Sequence, residues 1–159
     1  MNEREYRRHL PHFQNSDHDY HVRFSTNDWL LPPAARDIAV EEVILAHAQL
    51  AFIRVATVMP EHVHIALQPL LDENGLTQPL CSILRVIKGR SSRRINLLLN
   101  RRGSLWQEES FDHQLRNNES LRRTCEYIAD NAVRRGLVEF VEDYRWLWWE
   151  GRNWRDRPG

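Results

Sequence analysis

The sequence contains few cysteines, and their spacing matches none of the common motifs that use cysteine. Only two of the 159 residues are cysteine. Cys81 and Cys125 form neither a C-x-x-C pair nor a Cys/His zinc spacing, which argues against a zinc module and a disulfide framework. We expect both to be small buried hydrophobic side chains in a reducing compartment.

The chain also lacks a long hydrophobic run. No segment approaches the ~20 apolar residues that span a bilayer, and the start MNEREYRRHLPHF has no apolar core of a secretory signal. Hydrophobic content of 42% and charged content of 28% are typical of a globular protein. These features predict a cytoplasmic protein with one domain over 1–159, including an N-terminal extension at 1–18 and a polar, mobile tail at 150–159.

An excess of one charge is absent as well. The 22 basic residues balance the 22 acidic ones, so the whole chain carries no basic signature of a nucleic-acid binder. The distribution is uneven, however, because residues 85–102 contain basic side chains and no acidic one. They are Arg85, Lys88, Arg90, Arg93, Arg94, Arg101 and Arg102. One surface of a neutral protein can therefore be strongly positive, although such a run is more often a solvated helix face.

Hydrophobic periodicity predicts an α+β domain. Strands are predicted at 19–26, 51–59 and 62–68, and helices at 34–50, 79–100 and 119–131. The last segment, VEDYRWLWWEGRNW, is predicted to add a strand or a short helix before the tail. This order indicates a split βαβ plait, in which helices cover one face of an antiparallel sheet.

Two histidines stand two positions apart in the strand MPEHVHIAL. Side chains at i and i+2 leave the same face of a strand, so His62 and His64 point the same way and suggest a metal site. Two imidazoles alone do not make a site, and by itself such a pair is more often a surface or hydrogen-bonded pair. Tyr127 and Asn131, spaced i and i+4 on the last helix, would add a hydroxyl nucleophile and an amide oxygen, which suits phosphoryl transfer.

Several ordered segments resemble one known family. VMPEHVHIAL, IKGRSSRRINLLLNRRGSLWQEESFD, EYIADNAVRRGLVE and the start LPHFQNSDHDYHVRFST are similar to single-tyrosine HUH transposases, especially those associated with repetitive extragenic palindromic (REP) elements. The resemblance covers about residues 9–145. Ala132 departs from the pattern, because the family usually has proline after the asparagine.

The resemblance implies a ferredoxin-like fold with a C-terminal tyrosine-bearing helix, and an Mg²⁺- or Mn²⁺-dependent endonuclease and strand transferase. The partner would be single-stranded DNA that carries a hairpin. His62, His64 and Asn131 would be the metal ligands, and Tyr127 would form a 5′-phosphotyrosine with release of a 3′-hydroxyl. Relatives place the tyrosine helix within one subunit or exchange it across a dimer, so a homodimer stays open.

The basic segment is the predicted DNA-contacting surface. Lys88, Arg90, Arg93, Arg94, Arg101 and Arg102 would face phosphates, while Trp106 and Phe111 could stack on unpaired bases. A catalytically inactive, domesticated binder of palindromic DNA is the alternative function. A metal-independent RNA-binding plait is a weaker one, because the strands lack the aromatic signature of such domains.

Overall fold

The structure, a computed structural model, describes residues 18–159. The predicted extension at 1–18 lies outside this range except for His18. The predicted α+β fold is confirmed. The elements are β1 (Asp19–Ser25), α1 (Pro33–Ala46), β2 (Ala51–Val58), β3 (His62–Pro69), α2 (Leu80–Leu99), β4 (Phe111–Leu115), α3 (Asn118–Ala129), α4 (Asn131–Arg134), a 3₁₀ helix (Val141–Asp143) and β5 (Leu147–Trp148).

The five strands form one antiparallel sheet in the order β4-β1-β3-β2-β5. The first four strands have the order of a ferredoxin-like plait, and β5 extends the edge beside β2. Across residues 18–159, no helix combines the length and the apolar composition needed to cross a bilayer.

Different helices cover the two faces of the sheet. Val22, Phe24, Val63 and Ile65 alternate onto one face, where the main core forms against α1 and α2. The opposite face carries His62 and His64 and is covered by α3 and α4. This arrangement is the predicted plait with helices on one face, and the predicted tyrosine-bearing helix covers the other face.

Two elements differ from the sequence prediction. Helix α1 ends at Ala46 rather than near residue 50, because His47 is extended and Ala48 has a positive φ of 64°, which turns the chain into β2. The fourth strand of the plait is FDHQL, which precedes α3. This edge strand has no apolar alternation, because only Leu115 is buried in it, so no periodic signal marks it.

Three side chains lie elsewhere than predicted. Cys125 is buried, whereas Cys81 is exposed at the start of α2. Leu98 follows Ile95 at helical spacing, which predicts a core position, but it is exposed because it lies on the outer face of α2. Trp106 was expected on the surface and is only 4% exposed. Its ring packs edge-on against Phe24 and its indole N–H donates to Ser91.

The C-terminal segment 150–159 was predicted to be a mobile tail, and the structure instead packs part of it. Trp154 is buried, and Arg152 donates to the backbone carbonyls of Leu147, Glu142 and Tyr144. Arg145 in turn donates to carbonyls of the tail. The polar sequence of this segment does not predict these contacts, because the acceptors are backbone carbonyl oxygens.

The burial of Trp106 predicts a structural role for this residue. Trp106→Ala should lower the free energy of unfolding by about 3 to 5 kcal/mol, since it removes a large core ring and the hydrogen bond to Ser91. Urea unfolding followed by circular dichroism measures this loss. Leu97→Ala, at a side chain that is 84% exposed, should change stability by no more than about 0.5 kcal/mol. An unchanged urea midpoint for Trp106→Ala would contradict the core position of this residue.

Candidate active site

Four side chains meet on the sheet face that α3 and α4 cover. His62 and His64 project from the start of β3, Tyr127 from the last turn of α3, and Asn131 from the first residue of α4. The rings of His62 and His64 lie 4.8 Å apart, and the ring of Tyr127 lies 6.0 Å from His64. Asn131 Nδ2 lies 3.5 Å from His62 Nε2. The four predicted catalytic and metal residues therefore come together within one chain.

Glu61 fixes the orientation of His62. The Nδ1 atom of His62 lies 2.9 Å from Glu61 Oε1, and Arg135 donates to the same carboxylate oxygen. Because an ionised carboxylate only accepts, His62 carries its proton on Nδ1 and leaves a lone pair on Nε2. The loop that holds Glu61 is itself fixed, since Thr26 N–H donates to the Glu61 carbonyl at 2.8 Å.

His21 plays the corresponding part for His64. From β1, the Nε2 atom of His21 lies 2.9 Å from His64 Nδ1. If His64 Nδ1 donates in this pair, the Nε2 atom of His64 keeps a free lone pair. Each imidazole of the pair thus has a partner at Nδ1, an arrangement typical of metal-binding histidines.

Burial keeps these imidazoles neutral. Burial, together with smaller contributions from His62, His21 and Arg23 in the same direction, lowers the pKa of His64 to about 3. The pKa of His62 is also lowered by burial, although Glu61 opposes the shift. For Glu61, burial raises the pKa, but the hydrogen bond from Arg135, the charge of Arg135 and the hydrogen bond from His62 outweigh it, and the pKa is lowered. Neutral nitrogen atoms are the form that ligates metals.

Arg134 connects Asn131 to Tyr127. Its guanidinium donates to Asn131 Oδ1 at 3.2 Å and lies 3.9 Å from the centre of the Tyr127 ring. Asn131 is 6% exposed, whereas Tyr127 is 49% exposed. The amide is therefore held inside the site while the phenol remains open to a large substrate.

Ala132 does not lengthen the tyrosine helix. Helix α3 ends at Ala129, and Asp130 has φ −89° and ψ −3° before α4 begins at Asn131. Ala132 is buried in the first turn of α4, a position where proline is also tolerated. The helix break that places Asn131 thus forms without the proline.

The donor set fits a divalent cation only if the amide takes part. Within residues 18–159, no group of three or more His, Cys, Asp or Glu side chains could hold a metal ion. The set consists of two neutral imidazoles and the Asn131 carboxamide. Nε2 of His62 carries a lone pair, and Nε2 of His64 does so when its Nδ1 donates to His21. As placed, the amide oxygen faces Arg134, so the carboxamide must turn over for the oxygen to face His62.

The predicted DNA-contacting residues do not surround this site. Helix α2 lies on the opposite face of the sheet. Arg94 pairs with Glu41 and Glu42 of α1, and Lys88 donates to the carbonyls of Gln107 and Glu108. These partners come from distant segments, so a run without local acidic residues does not reveal them. Trp106 cannot stack on bases, because it is buried.

The remaining predicted cations differ in exposure. Arg101 is half-buried and stacks over Trp29 at 4.3 Å, whereas Arg90, Arg93 and Arg102 are exposed. The three exposed arginines therefore form a smaller positive surface than the sequence predicts.

Comparisons with known proteins agree with the fold. No protein-family model matches the chain. A Haemophilus influenzae protein named as a REP-associated tyrosine transposase is 26% identical over 97 residues, which cover 55% of this chain and 52% of that protein. The structure of a REP-associated tyrosine transposase bound to a REP hairpin superposes with a TM-score of 0.65 at 20% identity, covering 92% of this chain and 82% of that one.

The chain resembles REP-associated tyrosine transposases. This finding confirms the resemblance seen in the sequence motifs. The structural match shows that the fold is shared with a REP-associated tyrosine transposase, and the chain spans about half the length of the curated relative it matches.

Sequence reasoning missed the residues that support the site. His21, Glu61, Arg134 and Arg135 contact the four predicted residues, yet none was singled out. Glu61 directly precedes His62, and Arg134 follows Asn131 at i+3. The spacing along the chain therefore indicates that these two residues lie near the site. His21 could be found only from the pairing of β1 with β3 and was not accessible to a local pattern.

The buried neutral histidines predict that the metal-free protein loses stability as the pH falls. Between the unfolded pKa of 6.5 and the folded value of about 3, the unfolded state holds a proton on His64 that the folded state lacks. The free energy of unfolding should therefore fall by about 1.4 kcal/mol per pH unit below 6.5 for this group. Urea unfolding with chelator at pH 7, 6 and 5 measures the slope.

A matched variant isolates the contribution of His64. His64→Asn should unfold with a shallower pH dependence, smaller by about one proton, whatever its absolute stability. Equal slopes for the two proteins would show that His64 takes up its proton equally in the folded and unfolded states.

Proposed function

We propose that this protein is a metal-dependent endonuclease and strand transferase that nicks and rejoins single-stranded DNA beside hairpins through Tyr127. One observation carries the proposal: an exposed tyrosine lies over a pair of neutral, oriented imidazoles and a buried asparagine. A tyrosine with a purely structural role would more often bury its ring. All four groups come from one chain, so the proposed site needs no residue of a second subunit.

The reaction would proceed by in-line transfer at phosphorus. The Tyr127 oxygen attacks the phosphorus, a Tyr–O–P bond forms, and the P–O3′ bond breaks. The phenol loses its proton and the leaving 3′ oxygen gains one, so the strand ends as a 3′-hydroxyl and a 5′-phosphotyrosine. Attack by a 3′-hydroxyl on the phosphotyrosine reverses these bonds and rejoins DNA. Arg134, at the Tyr127 ring, holds the phenol in place and adds positive charge near the phosphate.

His62, His64 and Asn131 would hold the metal ion. When bound, the ion would stabilise the charge that develops on the phosphate oxygens. Glu61 would keep the Nε2 lone pair of His62 directed into the site, and His21 would do the same for His64 by accepting from its Nδ1. Of the two candidate ions, Mn²⁺ accepts imidazole nitrogen more readily than Mg²⁺, which prefers oxygen ligands, so this donor set favours Mn²⁺.

Hairpin DNA is the proposed partner because of the relative with a shared fold. That transposase is bound to a REP hairpin. In this chain, Arg23 and Arg134 place positive charge beside the candidate site. The exposed Arg90 and Arg93 of α2, and Arg102 just after it, offer further phosphate contacts.

The nucleophile can be tested by covalent trapping. Incubation with Mn²⁺ and an end-labelled single-stranded hairpin from repeats flanking the gene should give a denaturation-resistant protein–DNA band. Tyr127→Phe removes the attacking oxygen and should abolish the band, while hairpin affinity should change less than about threefold. Tyr20→Phe, on the other face of the sheet, is the matched control and should keep the band.

Two results would contradict the proposal in different ways. A band of normal intensity from Tyr127→Phe would remove the tyrosine from the chemistry. Hairpin binding without a band from the unsubstituted protein would favour the catalytically inactive DNA binder instead.

The carboxylate beside His62 predicts a change in metal affinity. Glu61→Ala removes the partner of His62 Nδ1 and should weaken Mn²⁺ binding about 10- to 100-fold, because the imidazole loses its fixed orientation and part of its basicity. Titration calorimetry with Mn²⁺ measures this change without DNA. Glu139→Ala, at an exposed carboxylate away from the site, should bind Mn²⁺ as the unsubstituted protein does. Equal affinities for both variants would exclude this role of Glu61.

A further inference from the structure

An open cleft of about 900 Å³ lies beside Tyr127. We call it the Phe111 cleft. Strands β1 and β4 form one wall, with His21, Arg23 and Phe111, while α3 contributes Thr124 and Tyr127. Because Tyr127 and His64 both line it, an occupant of this cleft would touch the strand that Tyr127 attacks.

Phe111 gives the cleft an unusual aromatic surface. Its side chain is 56% exposed, although phenylalanine is normally among the buried residue types. Its contact with His21 is edge-to-face at a centroid distance of 6.0 Å, so the ring is only partly covered. An exposed aromatic ring next to a phosphoryl-transfer site is suited to stacking on an unpaired base.

Arg23 adds a cation at the same place. In the sheet it lies directly between Phe111 on β4 and His64 on β3. It is exposed, and its charge contributes to lowering the pKa of His21, His62 and His64. The guanidinium therefore projects a positive field over the site and offers the donors that phosphate oxygens accept.

We propose that the Phe111 cleft binds one unpaired nucleotide next to the scissile phosphate, with its base stacked on Phe111 and a phosphate held by Arg23. This inference rests on the proposed function, since it names the part of the DNA that the site holds. A double-stranded stem does not meet these requirements, because its bases already stack on each other. The cleft thus distinguishes the single-stranded flank from the hairpin stem.

The test measures binding without cleavage. In a Tyr127→Phe background, fluorescence anisotropy compares a hairpin with unpaired flanking nucleotides on both sides against the same hairpin without them. Phe111→Ala should weaken binding of the flanked hairpin about 10-fold and leave binding of the bare hairpin unchanged. Phe140→Ala, which removes an equally exposed ring outside the cleft, should leave both affinities unchanged.

An abasic scan locates the nucleotide. A single abasic spacer is moved through the flanking nucleotides, one position at a time. At one position next to the cleavage point, the spacer should weaken binding to the Tyr127→Phe parent, which keeps Phe111, about as much as Phe111→Ala does. The same spacer should cause no further loss in Phe111→Ala, because base and ring form one contact. Arg23→Gln should reduce the slope of log affinity against log salt by about one.

The failures are distinguishable. Equal affinity of Phe111→Ala and its parent for the flanked hairpin, with binding retained, would overturn this inference alone. Additive losses from Phe111→Ala and every abasic position would also overturn it. No binding of any hairpin by the unsubstituted protein would overturn the proposed function together with the cleft.

Discussion

The antiparallel pairing of β1 with β3 sets the face of the sheet on which the imidazoles of the candidate site lie. It places Ser25 opposite His62 and Arg23 opposite His64. Side chains alternate along a strand, so a slip of one residue would turn both imidazoles into the core and Val63 out of it. Burial of the apolar face, at about 25 cal/mol per Å², opposes that slip. The hydrophobic core on one side of the sheet therefore decides what chemistry the other side presents.

Charge around the paired imidazoles is mainly positive. Glu61 is the carboxylate that contacts them, and it is shared with Arg135, while Arg23 and Arg134 lie close by. Such a field favours an anion over the site and keeps the imidazoles unprotonated. The surroundings therefore favour a phosphate group beside the candidate metal ligands, all of which are neutral: two imidazoles and the carboxamide of Asn131.

Local patterns predicted the parts of the molecule that depend on local spacing. The alternation around His62 and His64 and the i, i+4 spacing of Tyr127 and Asn131 placed four residues that do meet. Local patterns did not reveal the contacts that distant segments make. Arg94 has no acidic neighbour in its own helix, yet two glutamates of α1 neutralise it. Trp106 lies in a polar segment, yet a hydrogen bond to Ser91 and the ring of Phe24 hold it in the core.

Helix α3 is attached to the sheet by a small surface. Of its twelve residues only Cys125 and Ile128 are buried, and its ion pairs, such as Arg122 with Glu119, lie in solvent. Helices with little buried surface open at a lower free energy than the strands beneath them. Tyr127 lies on α3, whereas the histidine pair lies on the sheet to which α3 is attached. Detachment of this one helix would separate Tyr127 from the imidazoles while the sheet stays folded, so the geometry of the candidate site and the global stability are separate properties of this chain.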